Sequence, residues 1–269
     1  MEIIRSRQNP LVRHLVKLAE SRRDRQKSRQ TLLVGTHLVE AAIAASWTLD
    51  RLLTCEGHDD HPDIRALISA APCPVTRLSA ELFREIEQAP STTGLMALIS
   101  LPAQPLPVKK GCCLLLEGIQ DPGNVGSIFR TAVAAGVDQI WLTAGCADIW
   151  SPKVLRAGMG AHFLIPLIDR VTLTDVLPGF TGPIVVTTLD RAVSLYDTSL
   201  PADMVLAMGS EGQGVSEELL SLASQRIHIP MAGPVESLNV AAATAICLFE
   251  RRRQELSSAG SHQKPRPPR

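Results

Sequence analysis

Apolar positions recur along the chain in two rhythms, one helical and one alternating. Between residues 10 and 29, Leu11, Leu15 and Leu18 fall on one face with Arg and Lys around them, which predicts a basic amphipathic helix. Short apolar runs at 31–34, 51–55 and 94–101 read as strands, and 37–45, 62–71 and 79–89 as helices. That alternation predicts a small α/β unit over 1–100. The proline-rich stretch LPAQPLPVKKG at 101–111 breaks both rhythms and reads as a linker. A second alternation begins after it, with strands expected at 112–117, 139–143, 183–188, 203–208 and 226–229. Helices are expected at 124–135, 215–224 and 238–256. Strands that alternate with helices imply a mostly parallel sheet, here over 112–256. The segment 257–269 has almost nothing to bury and is expected to be disordered.

Composition narrows the class. Hydrophobic residues make up 45% of the 269 and charged residues 20%, as in soluble globular proteins. Aromatics are 3%, so the core must come from Leu, Ile, Val and Ala. No apolar run reaches membrane-spanning length, and MEIIRSRQNP lacks the pattern of a signal peptide. Cys55, Cys73, Cys112, Cys113, Cys146 and Cys247 form no CxxC pair, which predicts a reduced, cytoplasmic protein.

Net charge is zero, yet unevenly spread. Residues 1–30 carry nine Lys/Arg against three acids, and 250–269 carry six against two. Basic ends on an acidic body fit a polyanionic partner such as nucleic acid, or equally a solvated helix face and a tail.

Three polar loops lie at predicted strand ends, where open α/β sheets bind ligands. In LLLEGIQDPGNVGSIFRTA (114–132) a strand runs through Asp121 and Asn124 into a helix that carries Arg130. Asn124 could be a helix cap that brings Arg130 to one cleft, and Arg130 could be a plain solvated residue. In VLAMGSEGQGVSEEL (205–219) Gly209, Gly212 and Gly214 permit close backbone approach to a ligand. Neither a Walker A loop nor GxGxxG is present, which gives no support to nucleoside triphosphate or dinucleotide binding. In IHIPMAGPVESLNVAAATAI (227–246) Ser237 or Asn239 could simply cap a long helix. His58 and His61 in HDDHPD are the only candidate metal pair, and an exposed acidic loop is the simpler reading.

Taken together and in order, these loops resemble the SpoU/TrmH family (SPOUT superfamily) of RNA 2′-O-ribose methyltransferases. Asn124 and Arg130 match its N-x5-R motif; Gly209, Glu211, Gly212 and Gly214 match GSEGxG. Ile229, Pro230, Met231, Gly233, Ser237, Leu238 and Asn239 match IPMxGxVESLNV. SPKVLRAGMGA at 151–161 is similar to the family's connecting segment, with Gly158 where Ser is common. Ser6, Asn9, Pro10 and Gly35 resemble, less sharply, the family's ribosomal-protein-like substrate-binding domain, from which Val34 departs.

The resemblance implies a parallel-sheet methyltransferase domain with a deep trefoil knot, a smaller N-terminal RNA-binding domain, and a homodimer through the helix at 238–256. It implies S-adenosyl-L-methionine as cofactor, held by Thr188, Leu189, Gly209, Glu211, Gly212, Ile229, Met231, Ser237 and Leu238. Arg130, Asn124, Glu211, Ser237 and Asn239 are the implied catalytic set, with Arg130 nearest the 2′-hydroxyl proton and Glu211 bracing the loop or Arg130. An arginine is an awkward base at a pKa of about 12.5 or above, so a bound phosphate is the alternative acceptor. Expected RNA contacts are Arg5, Arg7, Asn9, Arg13, Lys17, Arg22, Arg23, Arg130, Lys153 and Arg156. No metal or membrane is implied. Ribosomal RNA of the 23S type is the expected substrate; transfer RNA, or a non-catalytic role in ribosome assembly, are the alternatives.

Overall fold

A computed structural model describes residues 2–58, 60–89, 91–235 and 237–260. The chain forms two compact units, 1–103 with 148–164, and 104–147 with 165–269.

The first unit holds strands β1 (Ile3–Ile4), β2 (Gln30–Val34), β3 (Leu49–Cys55), β4 (Val75–Leu78) and β5 (Leu95–Ser100) in the order β1-β4-β3-β5-β2. The sheet is mixed, since β5 runs antiparallel to both β2 and β3. Alternate residues of each strand face opposite ways. Leu32, Val34 and Leu53 pack on helices α1 (Pro10–Glu20) and α5 (Ala80–Glu87) through Leu15, Leu18, Phe83 and Ile86. Leu33, Leu52 and Ala97 face the other way, onto Leu38, Val39 and Ala42 of α3 (Thr36–Ala44) and Ile64 of α4 (Pro62–Ala70).

The single helix expected over 10–29 is broken. Ser21 leaves the helical region (φ −115°, ψ 114°), and its hydroxyl accepts from the Asp24 amide at 3.2 Å, starting α2 (Arg22–Ser28). Capping by a serine side chain is the local reason for the break. The break turns Arg25 inward, where it is 4% exposed and pairs with Asp148 at 2.6 Å.

The segment 148–164, read from the sequence as part of the second domain, packs with the first unit. It includes α7 (Pro152–Gly158), and Leu155 and Phe163 join the cluster around Leu33 and Leu52. The Thr31 hydroxyl donates to the Trp150 carbonyl at 2.6 Å.

The second unit holds β6 (Cys112–Glu117), β7 (Gln139–Thr143), β8 (Leu167–Val171), β9 (Ile184–Thr187), β10 (Val193–Ser194), β11 (Met204–Gly209) and β12 (Gln225–His228). Their order is β10-β12-β9-β11-β6-β7-β8, and every pairing is parallel. The central strands are apolar on both faces, as a covered parallel sheet requires: Cys113, Leu114, Leu115, Val205, Leu206 and Ala207 are all fully buried. Helices α6 (Pro122–Ala135), α8 (Leu173–Val176), α9 (Glu217–Leu222) and α10 (Val240–Gly260) connect or flank these strands. Strand β8 escaped the sequence reading because Asp169 and Arg170 interrupt its apolar run, with Arg170 at φ +62°. Helix α10 reaches Gly260, beyond the expected disordered start at 257; residues 261–269 lie outside the described residues. Among the described residues no helix is long and apolar enough to cross a membrane.

Candidate active site

Parallel strands end together, so the loops that leave them gather at one edge of the sheet. Gly209 at the end of β11 pairs in register with Glu117 at the end of β6, and Thr187 of β9 with Ile227 of β12. The chain runs β6, β7, β8 to one side and returns on the other side of β6. That reversal is where open α/β sheets form a crevice.

A cavity of about 430 Å³ opens at this edge. It is lined by Thr188, Leu189, Gly209, Glu211, Ile229, Met231, Ser237 and Leu238, so every expected cofactor residue is there except Gly212. The sequence reading missed Asp190, Met208 and His228, which also line it. Asp190 follows a strand end in a loop without a glycine signature, and pairs with Arg226 at 2.7 Å.

The loop after β11 folds back on itself. The Ser210 amide donates to the Gly214 carbonyl at 3.1 Å, and the Gly214 amide returns to the Ser210 carbonyl at 2.8 Å. A Cβ on Gly209 would lie 2.1 Å from the Gly214 carbonyl group, and Gly214 itself sits at φ +66°. Gly212 has neither constraint. The end of this loop is fixed by Glu117, whose carboxylate accepts from the Ser216 amide at 2.7 Å.

Asn124 does not cap α6. Asp121 does, accepting from the Asn124 amide at 2.8 Å. The Asn124 side chain is thereby free to cross to the other two loops. Its Nδ2 donates to Glu211 Oε1 at 2.7 Å, and its Oδ1 accepts from Asn239 Nδ2 at 2.9 Å. The amide orientation follows from the chemistry, because a carboxylate only accepts. Asn239 does cap α10, accepting from the Ala241 amide at 3.0 Å, so one side chain serves both purposes. Glu211 Oε1 also faces the Val240 amide at 3.5 Å.

Arg130 stands apart. It is exposed on α6, it does not line the cavity, and among the described residues it has no hydrogen bond or ion pair. Six helical residues amount to about 9 Å of rise and a rotation well off the Asn124 face. Asp121, not Asn124, caps the helix, so the expected way of bringing both into one cleft fails. Glu211 braces Asn124 and the start of α10 rather than Arg130. Ser237 is exposed at the cavity rim.

The expected RNA contacts divide sharply. Arg5 pairs with Glu56, Arg7 with Glu85 at 2.6 Å, Asn9 caps α1, and Arg22 is engaged within the chain. Arg156 is half-buried, and burial lowers its pKa while nearby Glu87 opposes that shift. Arg13, Lys17, Arg23 and Lys153 are exposed. His58 is half-buried and His61 exposed, 3.8 Å from Asp63; among the described residues no group of three or more His, Cys, Asp or Glu could hold a metal.

All six cysteines are free thiols, and burial pushes Cys113 and Cys247 up to about 12. Neither is a ready thiolate nucleophile.

A parallel α/β sheet with a ligand-sized cleft at its carboxyl edge, closed by three loops bonded to one another, defines the class of protein. The chain belongs to the SpoU rRNA methylase family, whose model matches residues 111–249. An MRM3-like substrate binding domain matches residues 9–97. An uncharacterized tRNA/rRNA methyltransferase of Synechocystis is 35% identical over 264 residues, covering 95% of each chain. The 23S rRNA (guanosine(2553)-2′-O)-methyltransferase of Bacillus subtilis is 30% identical over 254 residues, 94% of this chain and 100% of that one. The SpoU methyltransferase AviRb of Streptomyces viridochromogenes, solved in complex with AdoMet, superposes with a TM-score of 0.86 at 25% identity, covering 93% of this chain and 99% of that one.

Proposed function

We propose that the protein transfers a methyl group from S-adenosyl-L-methionine to a ribose 2′-hydroxyl of ribosomal RNA. The observation that carries this reading is the bond chain Asn239–Asn124–Glu211, which joins all three family motifs at the mouth of the cavity. The cavity fits the methyl donor in size and in lining. Ile229, Met231 and Leu238 offer an apolar wall for a purine, while Thr188, Asp190 and Ser237 offer polar groups to a ribose and an amino acid. When bound, the donor supplies an activated methyl group on sulfur.

The chain's own part is placement and proton handling. Asn124 holds Glu211 and Asn239 in one geometry. Glu211 Oε2 has no partner among the described residues and is free to accept from a substrate hydroxyl. Arg130 presents an uncommitted guanidinium, suited to an RNA phosphate that orients the ribose or takes its proton.

The protein acts as a homodimer through α10. Phe249 and Leu256, seven residues apart and therefore on one face, are 49% and 58% exposed there. The knotted path of the second unit and a cytoplasmic location belong to the same reading. Transfer RNA is the second reading, since the Synechocystis relative's name leaves both substrates open.

The test is transfer of labelled methyl to purified ribosomal and transfer RNA, digested afterwards to nucleosides. A 2′-O-methylnucleoside in the ribosomal pool supports the proposal; one in the transfer RNA pool alone moves the substrate. No transfer to either pool, with donor binding demonstrated separately, would mean that the substrate is an assembly intermediate or that the protein binds RNA without modifying it.

A further inference from the structure

Three acidic side chains line the cavity of the second unit, Asp190, Glu211 and Glu217, and among the described residues its lining holds no lysine or arginine. The three are not equivalent. Arg226 Nη1 donates to Asp190 Oδ2 at 2.7 Å. Glu211 accepts from neutral groups, Asn124 and the Val240 amide, and among the described residues neither it nor Glu217 has an ion pair. Arg226 sits on β12 in register with Val186 of β9 and does not line the cavity. Its Nη2 donates to the Leu220 carbonyl of α9 at 3.2 Å. Asp190 and Leu220 both line the cavity, so one guanidinium ties two of its walls together. Asp190 is fixed from its backbone as well: its amide donates to the Thr188 hydroxyl at 3.1 Å, and the Thr188 amide to the Ile227 carbonyl at 3.0 Å.

The Asp190 and Arg226 side chains are 63% and 28% exposed, and an ion pair that open to water adds little to stability. What it does accomplish is orientation, because Asp190 Oδ1 is left without a partner among the described residues while Oδ2 is held. We propose that Asp190 accepts hydrogen bonds from the ribose diol of the methyl donor, and that Arg226 is the positioning residue that sets this carboxylate; this rests on the methyl-transfer reading above. The donor offers two kinds of hydrogen-bond donor to a carboxylate, its ribose hydroxyls and its ammonium group. Charge decides between them. Arg226 already compensates Asp190, so a neutral hydroxyl loses nothing there, whereas an ammonium would stand beside a guanidinium of like sign. The uncompensated carboxylates Glu211 and Glu217 suit the cationic groups better. A carboxylate at a parallel-strand end holds a nucleotide ribose in dinucleotide-binding folds by the same chemistry.

The test uses the full-length protein as wild type, Asp190→Ala, Arg226→Gln and the double variant. Calorimetry measures affinity for S-adenosylhomocysteine and for 5′-methylthioadenosine, which keeps the ribose diol and lacks the amino-acid tail. Competition compares adenosine with 2′,3′-dideoxyadenosine. Both side chains are partly exposed, and circular dichroism is expected to match wild type in every variant.

Asp190→Ala is expected to weaken both ligands by the same factor, on the order of tenfold, the scale of a hydrogen bond to a charged group. It should also erase the preference for adenosine over its dideoxy counterpart. Arg226→Gln should weaken both ligands by less. The double variant should lose no more than Asp190→Ala alone, because Arg226 acts through Asp190. In methyl transfer, Arg226→Gln should raise the donor KM and leave the rate at saturating donor near wild type. Loss of S-adenosylhomocysteine affinity with 5′-methylthioadenosine unchanged overturns the diol assignment in favour of the ammonium. Unchanged affinity for both ligands in Asp190→Ala overturns the site, and additive losses in the double variant overturn the role of Arg226. In each of these cases wild type still binds S-adenosylhomocysteine, and the methyl-transfer reading stands. If wild type binds neither ligand, that reading fails with the proposal.

Discussion

Asn124 Nδ2 donates to Glu211 Oε1 at 2.7 Å across 87 residues of chain, and so locks the loop after β6 to the loop after β11. The same amide accepts from Asn239, which caps α10. Asn124→Ala would leave both partners in place without the group that aligns them. The bond is exposed, so its worth to stability is small, about 0.5–1.5 kcal/mol. Methyl transfer is expected to fall about 10- to 100-fold in kcat, with the fold retained, as single-turnover kinetics and circular dichroism would report.

Asp121, three residues earlier, should behave in the opposite way. Its carboxylate caps α6 and does not touch the cavity. Asp121→Ala is expected to cost about 1 kcal/mol of stability by denaturant titration. Activity per folded molecule should stay near wild type. A kinetic defect as deep as that of Asn124→Ala would show that the cap and the network are one unit.

Gly209 and Gly212, two of the three glycines at the β11 loop, separate similarly. A methyl group at Gly209 would overlap the Gly214 carbonyl and lie 2.4 Å from the Val215 amide nitrogen, so Gly209→Ala must open the loop. Loss of donor binding by calorimetry is the expected result. Gly212→Ala meets no atom within 4 Å and no positive φ, and its donor affinity should stay within about threefold, roughly the effect of a surface substitution.

Much of this site was legible in the sequence, because glycine, proline and helix-start residues at strand ends mark the turns of an open α/β sheet. What the sequence withheld was partnership. Asp121 and Asn124 both suit a helix start, and only the chain path decides which caps and which reaches across. The 148–164 segment falls inside the second alternation by position, yet Leu155 and Phe163 are buried in the first unit, a fact no local pattern carries. Strand β4 has only Val75 and Leu78 as apolar residues, separated by Thr76 and Arg77, and so offers no apolar run to read. Arg25 reads as one more cation in a basic run, and its burial depends on Asp148, far away in sequence.

His162 in the first unit is buried, and its Nε2 lies 2.8 Å from the Ile149 carbonyl. Burial holds its pKa down to about 4, below the ordinary value near 6.5. The unfolded chain therefore takes up a proton below about pH 6.5, and the folded chain only near pH 4. Stability is complete above about pH 6.5 and falls as the pH drops toward 4, by on the order of 3 kcal/mol from this group. His162→Gln should flatten that part of the profile. Urea unfolding of both proteins at pH 7.5 and 4.5 checks it; parallel losses would assign the acid sensitivity to other groups.

Arg130 gives the sharpest separation of structure from chemistry. It is exposed and has no hydrogen bond or ion pair among the described residues, so Arg130→Ala removes neither. Melting temperature and donor affinity are expected to remain within error of wild type. Turnover should nevertheless fall by about 100-fold or more, the scale of a lost group that acts in the transition state. Arg130→Lys distinguishes two ways of acting. If the guanidinium works as a planar fork on a phosphate, lysine cannot replace it and the loss persists. If only positive charge is needed, lysine restores most of the rate. Should Arg130→Ala turn over normally, the side chain would be one of the solvated arginines its exposure allows, and the proton would be handled by the Asn124–Glu211–Asn239 network alone.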